Sequence, residues 1–474
     1  MIYSKSLSLI ALVLAVAPLA ACEGAAIDLA SDRAVIAAGG CDEAAVTATL
    51  TIGGKPKANA RIEFETTAGS FSPTETLQST SAVTDAEGKA TVSLYATTSV
   101  GTATVNASYD DDNYSVTQSV TVTFGPPTGR FAPVSDSISL SCDAINVGAL
   151  RNGASEIVVP CTLTAQTADG CNLPVAAFMD QGAMILKAEA GTLEAVVDAW
   201  SETMVLHYRT KGGEAQPVDV DPVSGEPSRP GPLGETLNPR DGVVTLLAVL
   251  RGREAFDDLN GNGVFDEDTE TFDDIGEPFL DVDDDGVFTL GTDPYFADTN
   301  EDGTQNGPNG TYDATAYIGA STKIIWSGDL EEATDAGRLE VSGNPDIPNG
   351  GSVTVTAYLL DARLNPIAAW EENSDYIYFD INGWLVVNPS SYQINLTNKS
   401  AIRFDEQNRY LEYLDDAAAY PITLSDDDGS TTYDPAYDWS LSATVYASAG
   451  PDADGYYANQ TQYSFTHSVS GTNR

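Results

Sequence analysis

The sequence predicts an all-β protein of tandem β-sandwiches interrupted by one irregular acidic segment. Three observations carry this. Short runs alternate apolar and polar residues with period two, and turn residues separate them. The chain has 474 residues, enough for roughly three domains of ordinary size. Residues 254–321 hold nineteen Asp and Glu and no Lys or Arg. Such a stretch does not pack unaided, because its charges repel and little of it is apolar.

Composition narrows the function. Lys plus Arg is 22 against 70 Asp plus Glu, a formal charge of −48. A nucleic-acid binder is excluded, since phosphate contacts need a basic face. Adhesion to anionic lipid through surface charge is disfavoured. Only 19% of residues are charged and 42% are apolar, so the chain is globular with a strong sign bias. The two histidines, His207 and His467, lie in alternating strand-like runs. G-x-S-x-G, H-E-x-x-H and P-loop patterns are absent. Asp42 and Ser141, beside cysteines, carry no triad spacing. Paired carboxylates can run glycoside hydrolysis, but cation spacing accounts for the acids here. A non-enzyme is expected.

At the N-terminus Lys5 precedes the apolar run Leu7 to Leu19, followed by Ala20, Ala21 and Cys22. A charged start, an apolar core and small residues before a cut mark a signal peptide. Leu19-Ala20-Ala21-Cys22 resembles the bacterial lipobox. The resemblance implies that residues 1–21 are removed and that Cys22 is acylated, which tethers the chain to a membrane. Residue 23 is Glu, not the Asp of inner-membrane retention, so a lipid-anchored outer-membrane protein is expected, on the cell surface or the periplasmic face.

Residues 22–125 form the first expected sandwich. Val46, Ala48, Leu50 and Ile52 share one face, as do Ile62 and Phe64; Val92, Leu94 and Ala96; Ala103, Val105 and Ala107; and Val120, Val122 and Phe124. Gly53-Gly54, Glu87-Gly88 and residues 110–113 supply turns. The set Val46-Thr-Ala-Thr-Leu50, Gly53-Gly-Lys-Pro56, Arg61-Ile-Glu-Phe64, Ala68-Gly-Ser-Phe71, Thr84 to Leu94 and Gly101-Thr-Ala-Thr-Val105 resembles the bacterial Ig-like domain of the invasin and intimin type. The resemblance covers about a hundred residues and implies an Ig-like β-sandwich in a stalk or adhesion role. Residues 125–129 read as a stiff linker. A second Ig-like domain is expected over 131–253 and a third over 322–474. Ala190-Gly-Thr-Leu193 repeats the Ala68-Gly-Ser-Phe71 pattern. Val46 to Pro56, Cys161 to Pro174 and Val353 to Pro366 each pair an alternating strand with a turn and a proline. Residues 212–240 read as a long exposed loop.

Export places the chain in an oxidising compartment. Cys41, Cys142, Cys161 and Cys171 allow three pairings. The repeat favours Cys41–Cys171 and Cys142–Cys161. Free cysteines or a local Cys161–Cys171 staple remain alternatives.

The acidic stretch contains three copies of D-x-[DN]-x-[DN]-G: Asp258, Asn260, Asn262; Asp281, Asp283, Asp285; and Asp298, Asn300, Asp302. Oxygens at alternate positions wrap a hard cation. The glycine permits the turn that brings in a backbone carbonyl, here of Val264 or Val287. With no His or Cys nearby, Ca²⁺ is favoured over a transition metal. The twelfth positions are Thr269, Thr292 and Asn309, so these are not ordinary EF-hands. Asp266, Asp273, Glu277, Asp293 and Asp313 are candidates to complete the shells. Phe256, Phe279 and Tyr295 read as apolar anchors. The expectation is a joint, 254–321, between the second and third domains, ordered by about three Ca²⁺. The expected function is that of a surface-tethered structural or adhesive lipoprotein that engages a glycan or cell-surface protein. The alternative is a carbohydrate-binding module using Trp370, Tyr376, Tyr378, Trp384, Tyr410, Tyr413, Tyr437 and Trp439.

Overall fold

The computed structural model describes residues 24–96, 99–178, 183–197, 204–331, 337–370, 374–382, 385–388, 392–426, 437–451, 457–458 and 461–473. The expected signal peptide and Cys22 lie outside them. The chain forms two compact units that divide between Pro126 and Pro127, inside the expected linker. Among the described residues no helix is long and apolar enough to cross a membrane.

Among the described residues the first unit has nine strands: β1 (Ala25–Ser31), β2 (Val35–Ala37), β3 (Glu43–Ile52), β4 (Lys55–Pro56), β5 (Arg61–Thr66), β6 (Ser79–Val83), β7 (Lys89–Tyr95), β8 (Gly101–Asp110) and β9 (Ser115–Gly125). One sheet runs β1-β3-β4 with β7 also on β3, and the other runs β2-β9-β8-β5-β6. The alternation of β3 places Ala44, Val46, Ala48 and Leu50 inside and its threonines outside. Ile62, Phe64, Val105 and Phe124 are buried on the opposing sheet. Each large side chain so buried contributes about 2 kcal/mol. Gly69 has φ +79°, and a Cβ there would lie 2.6 Å from the Tyr95 carbonyl. Gly191, its counterpart in the repeat, has φ +70° and would place a Cβ 2.2 Å from the Arg209 carbonyl. The repeated Ala-Gly pattern therefore marks a left-handed turn pressed against a neighbouring strand.

The second unit begins with another sandwich. Its strands are β10 (Ser139–Cys142), β11 (Asn146–Val147), β12 (Val158–Thr164), β13 (Met184–Ala188), β14 (Gly191–Val197) and β15 (Met204–Glu214). A two-residue pair, β16 (Arg229–Pro230) and β17 (Thr236–Leu237), precedes the long strands β18 (Val243–Gly252) and β19 (Ala316–Trp326). The sheets are β10-β12-β15-β14 and β11-β19-β18-β13. Cys142 and Cys161 are directly opposed on β10 and β12 and form a disulfide, which removes the Cys161–Cys171 alternative. Residues 212–240 are not wholly exposed. Asn238 and Asp241 form a buried capping box around a short helix at Pro239–Gly242, and Arg240 pairs with buried Glu226 at 3.1 Å.

The third sandwich comprises β20 (Arg338–Ser342), β21 (Ser352–Tyr358), β22 (Tyr376–Asn382), β23 (Val386–Asn388), β24 (Gln393–Asn395), β25 (Ile402–Phe404), β26 (Tyr410–Tyr413), β27 (Ala419–Ser425) and β28 (Tyr437–Ala447). It closes with β29 (Gly450–Pro451), β30 (Tyr457–Ala458) and β31 (Thr461–Asn473). Its sheets are β20-β21-β27-β23 and β24-β22-β28-β31, and β25-β26 is a separate hairpin. An all-β chain of tandem sandwiches, as expected, is thus observed.

The acidic segment departs from expectation in its place in the fold. β18 and β19 pair antiparallel from Val243↔Ile325 to Gly252↔Ala316. Residues 253–315 are therefore the connection of a β-hairpin inside the second sandwich, not a joint between two domains. The expected boundary at 321/322 falls within β19. Alternation identifies a strand but not the sheet it joins, and the ladder decides that. The third sandwich meets the second through buried polar contacts. Arg151 donates to the carbonyls of Ala447 (2.9 Å) and Ala368 (2.5 Å), and Asn146 to that of Pro366 (2.7 Å).

Candidate metal-binding segment

The segment is held down by β18. Residues 243–250 are all buried, unlike a strand with one wet face. Leu247 and Val249 pack against Leu280, Val282 and Ala297 of the acidic stretch, with Tyr295 and Tyr317 beside them. The run Val243 to Leu250, apolar but for Thr245, is the sequence signature of a strand covered on both sides.

Above this apolar base the three motifs form loops with one hydrogen-bonded frame. In loop 1 (258–266), Asp258 accepts from the amides of Asn262 (3.1 Å) and Gly263 (2.7 Å). In loop 2 (281–289), Asp281 accepts from Asp285 (3.3 Å) and Gly286 (3.1 Å). In loop 3 (298–306), Asp298 accepts from Asp302 (3.2 Å) and Gly303 (2.8 Å). Asn260, Asn262, Asn300 and Asp302 bond within their own loops. The amides of Val264 and Val287 donate back to Asn262 and Asp285.

A second carboxylate clamps each loop by accepting two amides, those after the first and eighth loop positions. Glu270 takes Leu259 (2.9 Å) and Asp266 (3.0 Å) of loop 1. Asp293 takes Val282 (3.0 Å) and Thr289 (2.7 Å) of loop 2. Glu277 takes Thr299 (2.6 Å) and Asn306 (2.9 Å) of loop 3. The same arrangement occurs a fourth time in two pieces. Asp274 accepts from Asn309 (2.9 Å) and Gly310 (2.7 Å), while Glu254 accepts from Ile275 (2.9 Å) and Asp313 (2.7 Å). All four clamps are buried, with exposures of 1% at Glu254, 6% at Glu270, 8% at Glu277 and 5% at Asp293.

The clamps are exchanged between paired frames. Glu254 leads into loop 1 but clamps the split frame; Glu270 leads into the split frame at Asp274 but clamps loop 1. Glu277 leads into loop 2 and clamps loop 3, and Asp293 does the reverse. Antiparallel bridges Phe256↔Phe272 and Phe279↔Phe296 mark the two pairings. Under one pair, Phe256, Phe265, Phe272 and Tyr312 form a ring cluster with centroids 4.6 to 5.9 Å apart. Under the other, Phe288 sits 5.7 Å from Phe279 and 5.3 Å from Phe296. Phe296, not Tyr295, is the third anchor; Tyr295 faces β18 instead.

Of the expected completing acids, Glu277 and Asp293 are clamps. Asp266 accepts from the Asn260 and Asn262 side chains, and Asp313 from that of Asn309. Asp273 is exposed and joins no frame. Glu254, Glu270 and Asp274 are not among the acids expected from the sequence to complete a shell. Their signal is an acid four residues before an aspartate, at Glu254/Asp258, Glu270/Asp274 and Glu277/Asp281.

Loop 2 brings its carboxylates closest. Oxygens of Asp281, Asp283 and Asp285 all lie within 4.8 Å of one another. One oxygen of Asp283 is buried with no hydrogen-bond partner. Burial, then Asp285, Asp293 and Asp281, pushes its pKa up to about 6. Three converging carboxylates with an unpaired oxygen fit a hard divalent cation, which removes the repulsion and fills the vacant lone pairs. Asp258 is held below the ordinary carboxylate range by the Gly263 amide first. Behind loop 2, buried Glu189 accepts the amides of Val218 (2.8 Å) and Thr245 (2.9 Å), and burial pushes its pKa up to about 8.

The remaining candidates separate. Trp439 is buried and donates to the Pro345 carbonyl at 3.1 Å. Tyr376 and Tyr446 pack ring on ring at 4.7 Å, and Tyr378 is exposed. Trp370, Tyr410 and Tyr413 are half-buried. Trp384 and the side chains of Tyr437 and His467 lie outside the described residues. His207 is half-buried on β15, paired in register with Pro160 and Glu194. Asp42 is buried and bonds Arg33 and the Ala37 amide, a structural role. Cys41 belongs to the first unit and Cys171 to the second.

No protein-family model matches the chain, and no curated protein matches it. Among solved structures it is similar to invasin, a bacterial integrin-binding protein, at 14% identity, covering 95% of this chain and 60% of that one, with a TM-score of 0.30. It is similar to the Escherichia coli adhesin FdeC at 12% identity, covering 95% and 99%, with a TM-score of 0.28. It is similar to domains of titin at 8% identity, covering 96% and 98%, with a TM-score of 0.27. The chain thus spans 60% of the invasin structure's length. These likenesses are too distant to carry a functional argument.

Proposed function

We propose that this chain is a lipid-anchored bacterial surface protein with a structural and adhesive role, stiffened by calcium. Loops 1, 2 and 3 each take one Ca²⁺. Cys22 carries the lipid, Cys41 pairs with Cys171, and the adhesive end meets a cell-surface protein or glycan. The observation that carries the calcium reading is the shared frame of three oxygen-only loops, with the unpaired Asp283 oxygen at the centre of loop 2. Native mass spectrometry of the full chain, taken from membranes in calcium, tests this. The expected spectrum has three calcium ions and acyl chains on the Cys22 peptide, and an unreduced digest contains the Cys41–Cys171 peptide pair. A mass without calcium sinks the metal reading. An unmodified Cys22 sinks the anchor, and other cysteine partners sink the pairing.

A further inference from the structure

Loop 2 differs from its neighbours in what its outer side touches. Among the described residues, the hydrogen bonds of loops 1 and 3 stay within residues 253–317. Loop 2 is bonded on its outer side to both sandwiches of its unit. The Asp281 carbonyl accepts from the Thr245 hydroxyl (2.8 Å) and the Asp283 carbonyl from Arg240 (2.6 Å). Asp284, at φ +60°, sends its carboxylate to Lys323 on β19. Its carbonyl accepts the amide of Tyr410 (3.2 Å), which belongs to the third sandwich.

The hairpin that holds Tyr410 rests on the same spot. Arg409 lies so close over Gly286 that a Cβ there would come within 2.3 Å of its side chain. Asn408 donates to the Ser321 carbonyl at 2.8 Å. Lys323 lies 5.3 Å from the Phe404 ring centre, and Arg240 5.7 Å from that of Tyr410. Val243, Ile325 and Ile402 bury a small apolar contact beside them, with Phe404 and Tyr410 packed against it.

Side chains alternate along loop 2. Those of Asp281, Asp283 and Asp285 converge, while Asp284 and the carbonyls of 281, 283 and 284 face the body. A cation that gathers the first set fixes the second. Without it, mutual repulsion of three carboxylates acts on the backbone that presents Lys323 and Tyr410 with their partners.

We propose that loop 2 is the transmitting site: its cation sets how firmly the β25–β26 hairpin, and with it the third sandwich, seats on the second. Loops 1 and 3 order only the acidic segment. This rests on the calcium reading given above. A bound ion stabilises both the loop and its outward contacts, because a ligand that favours one of two states shifts all that is linked to it.

Hydrogen exchange on the full chain tests it, with calcium or chelator as the probe. In the wild type, chelation is expected to speed exchange across 402–413 by about tenfold or more, together with 281–289. Asp285→Asn should do the same in calcium, whereas Asp302→Asn should speed exchange only near 298–306. Asp284→Asn keeps the converging carboxylates, so it should loosen 402–413 while the number of bound calcium ions is unchanged. The proposal is overturned if chelation deprotects 281–289 and leaves 402–413 untouched, or if Asp302→Asn loosens the hairpin as much as Asp285→Asn. If no calcium binds at all, the failure belongs to the calcium reading.

Discussion

In chelator, the stretch between Arg253 and Ala316 is expected to become cleavable by a Glu-specific protease while the flanking sandwiches stay intact. Trypsin cannot report this, since residues 254–322 contain no Lys or Arg. The magnitude follows from mass action. With a dissociation constant of about 0.1 mM, at the tight end for extracellular calcium modules, 1 mM calcium adds about 1.4 kcal/mol per ion. Opening of one loop gives up that loop's own ion, so cleavage within it should accelerate by about tenfold on chelation. β18 and β19 remain paired with their sheet neighbours and are expected to survive, so fragments should end inside 254–315. Equal cleavage with and without calcium would contradict this.

Asp361→Ala is expected to cost about 3–5 kcal/mol, because it strands buried donors. Asp361 is buried and accepts three amides: Gly328 (2.7 Å), Arg363 (2.9 Å) and Asn365 (2.9 Å). The first of these follows β19 and the others belong to the turn after β21, so one carboxylate joins the second and third sandwiches. Asn365 continues the link by donating to the Pro239 carbonyl at 2.8 Å. Asp361→Asn retains an acceptor and should cost less. Burial pushes the Asp361 pKa up to about 6 against the pull of its amide donors. A raised folded-state pKa means that its contribution is fully present below the unfolded value and is lost as pH rises through about 6. Wild-type stability should therefore fall between about pH 4 and 7 relative to Asp361→Asn, as read by denaturant melts at each pH.

Much of this was legible from residue order. The alternation of Val46, Ala48 and Leu50 against threonine specifies a half-buried strand, and the structure buries these residues. Cys142 and Cys161 sit in neighbouring alternating runs and meet across β10 and β12. The D-x-[DN]-x-[DN]-G loops are local, so their shape follows from their own residues. Non-local features were not readable. The strand after the acidic segment looks the same whether it opens a new sandwich or closes an old hairpin. The split frame has its first acid at Asp274 and its glycine at Gly310, so no window of sequence contains it. In the sequence Glu254 and Glu270 each precede their own loop, but each clamps its partner's. Of the adjacent rings Tyr295 and Phe296, only the pairing with Phe279 shows which one lies under the loops.

Calcium held by the converging carboxylates scatters anomalously at long wavelength, whereas the surrounding oxygens do not. Long-wavelength anomalous diffraction from crystals grown in calcium measures this directly. Peaks are expected within 258–266, 281–289 and 298–306, each ringed by oxygens at about 2.3–2.6 Å. Ordered loops without anomalous peaks, or calcium lying only outside them, would contradict it.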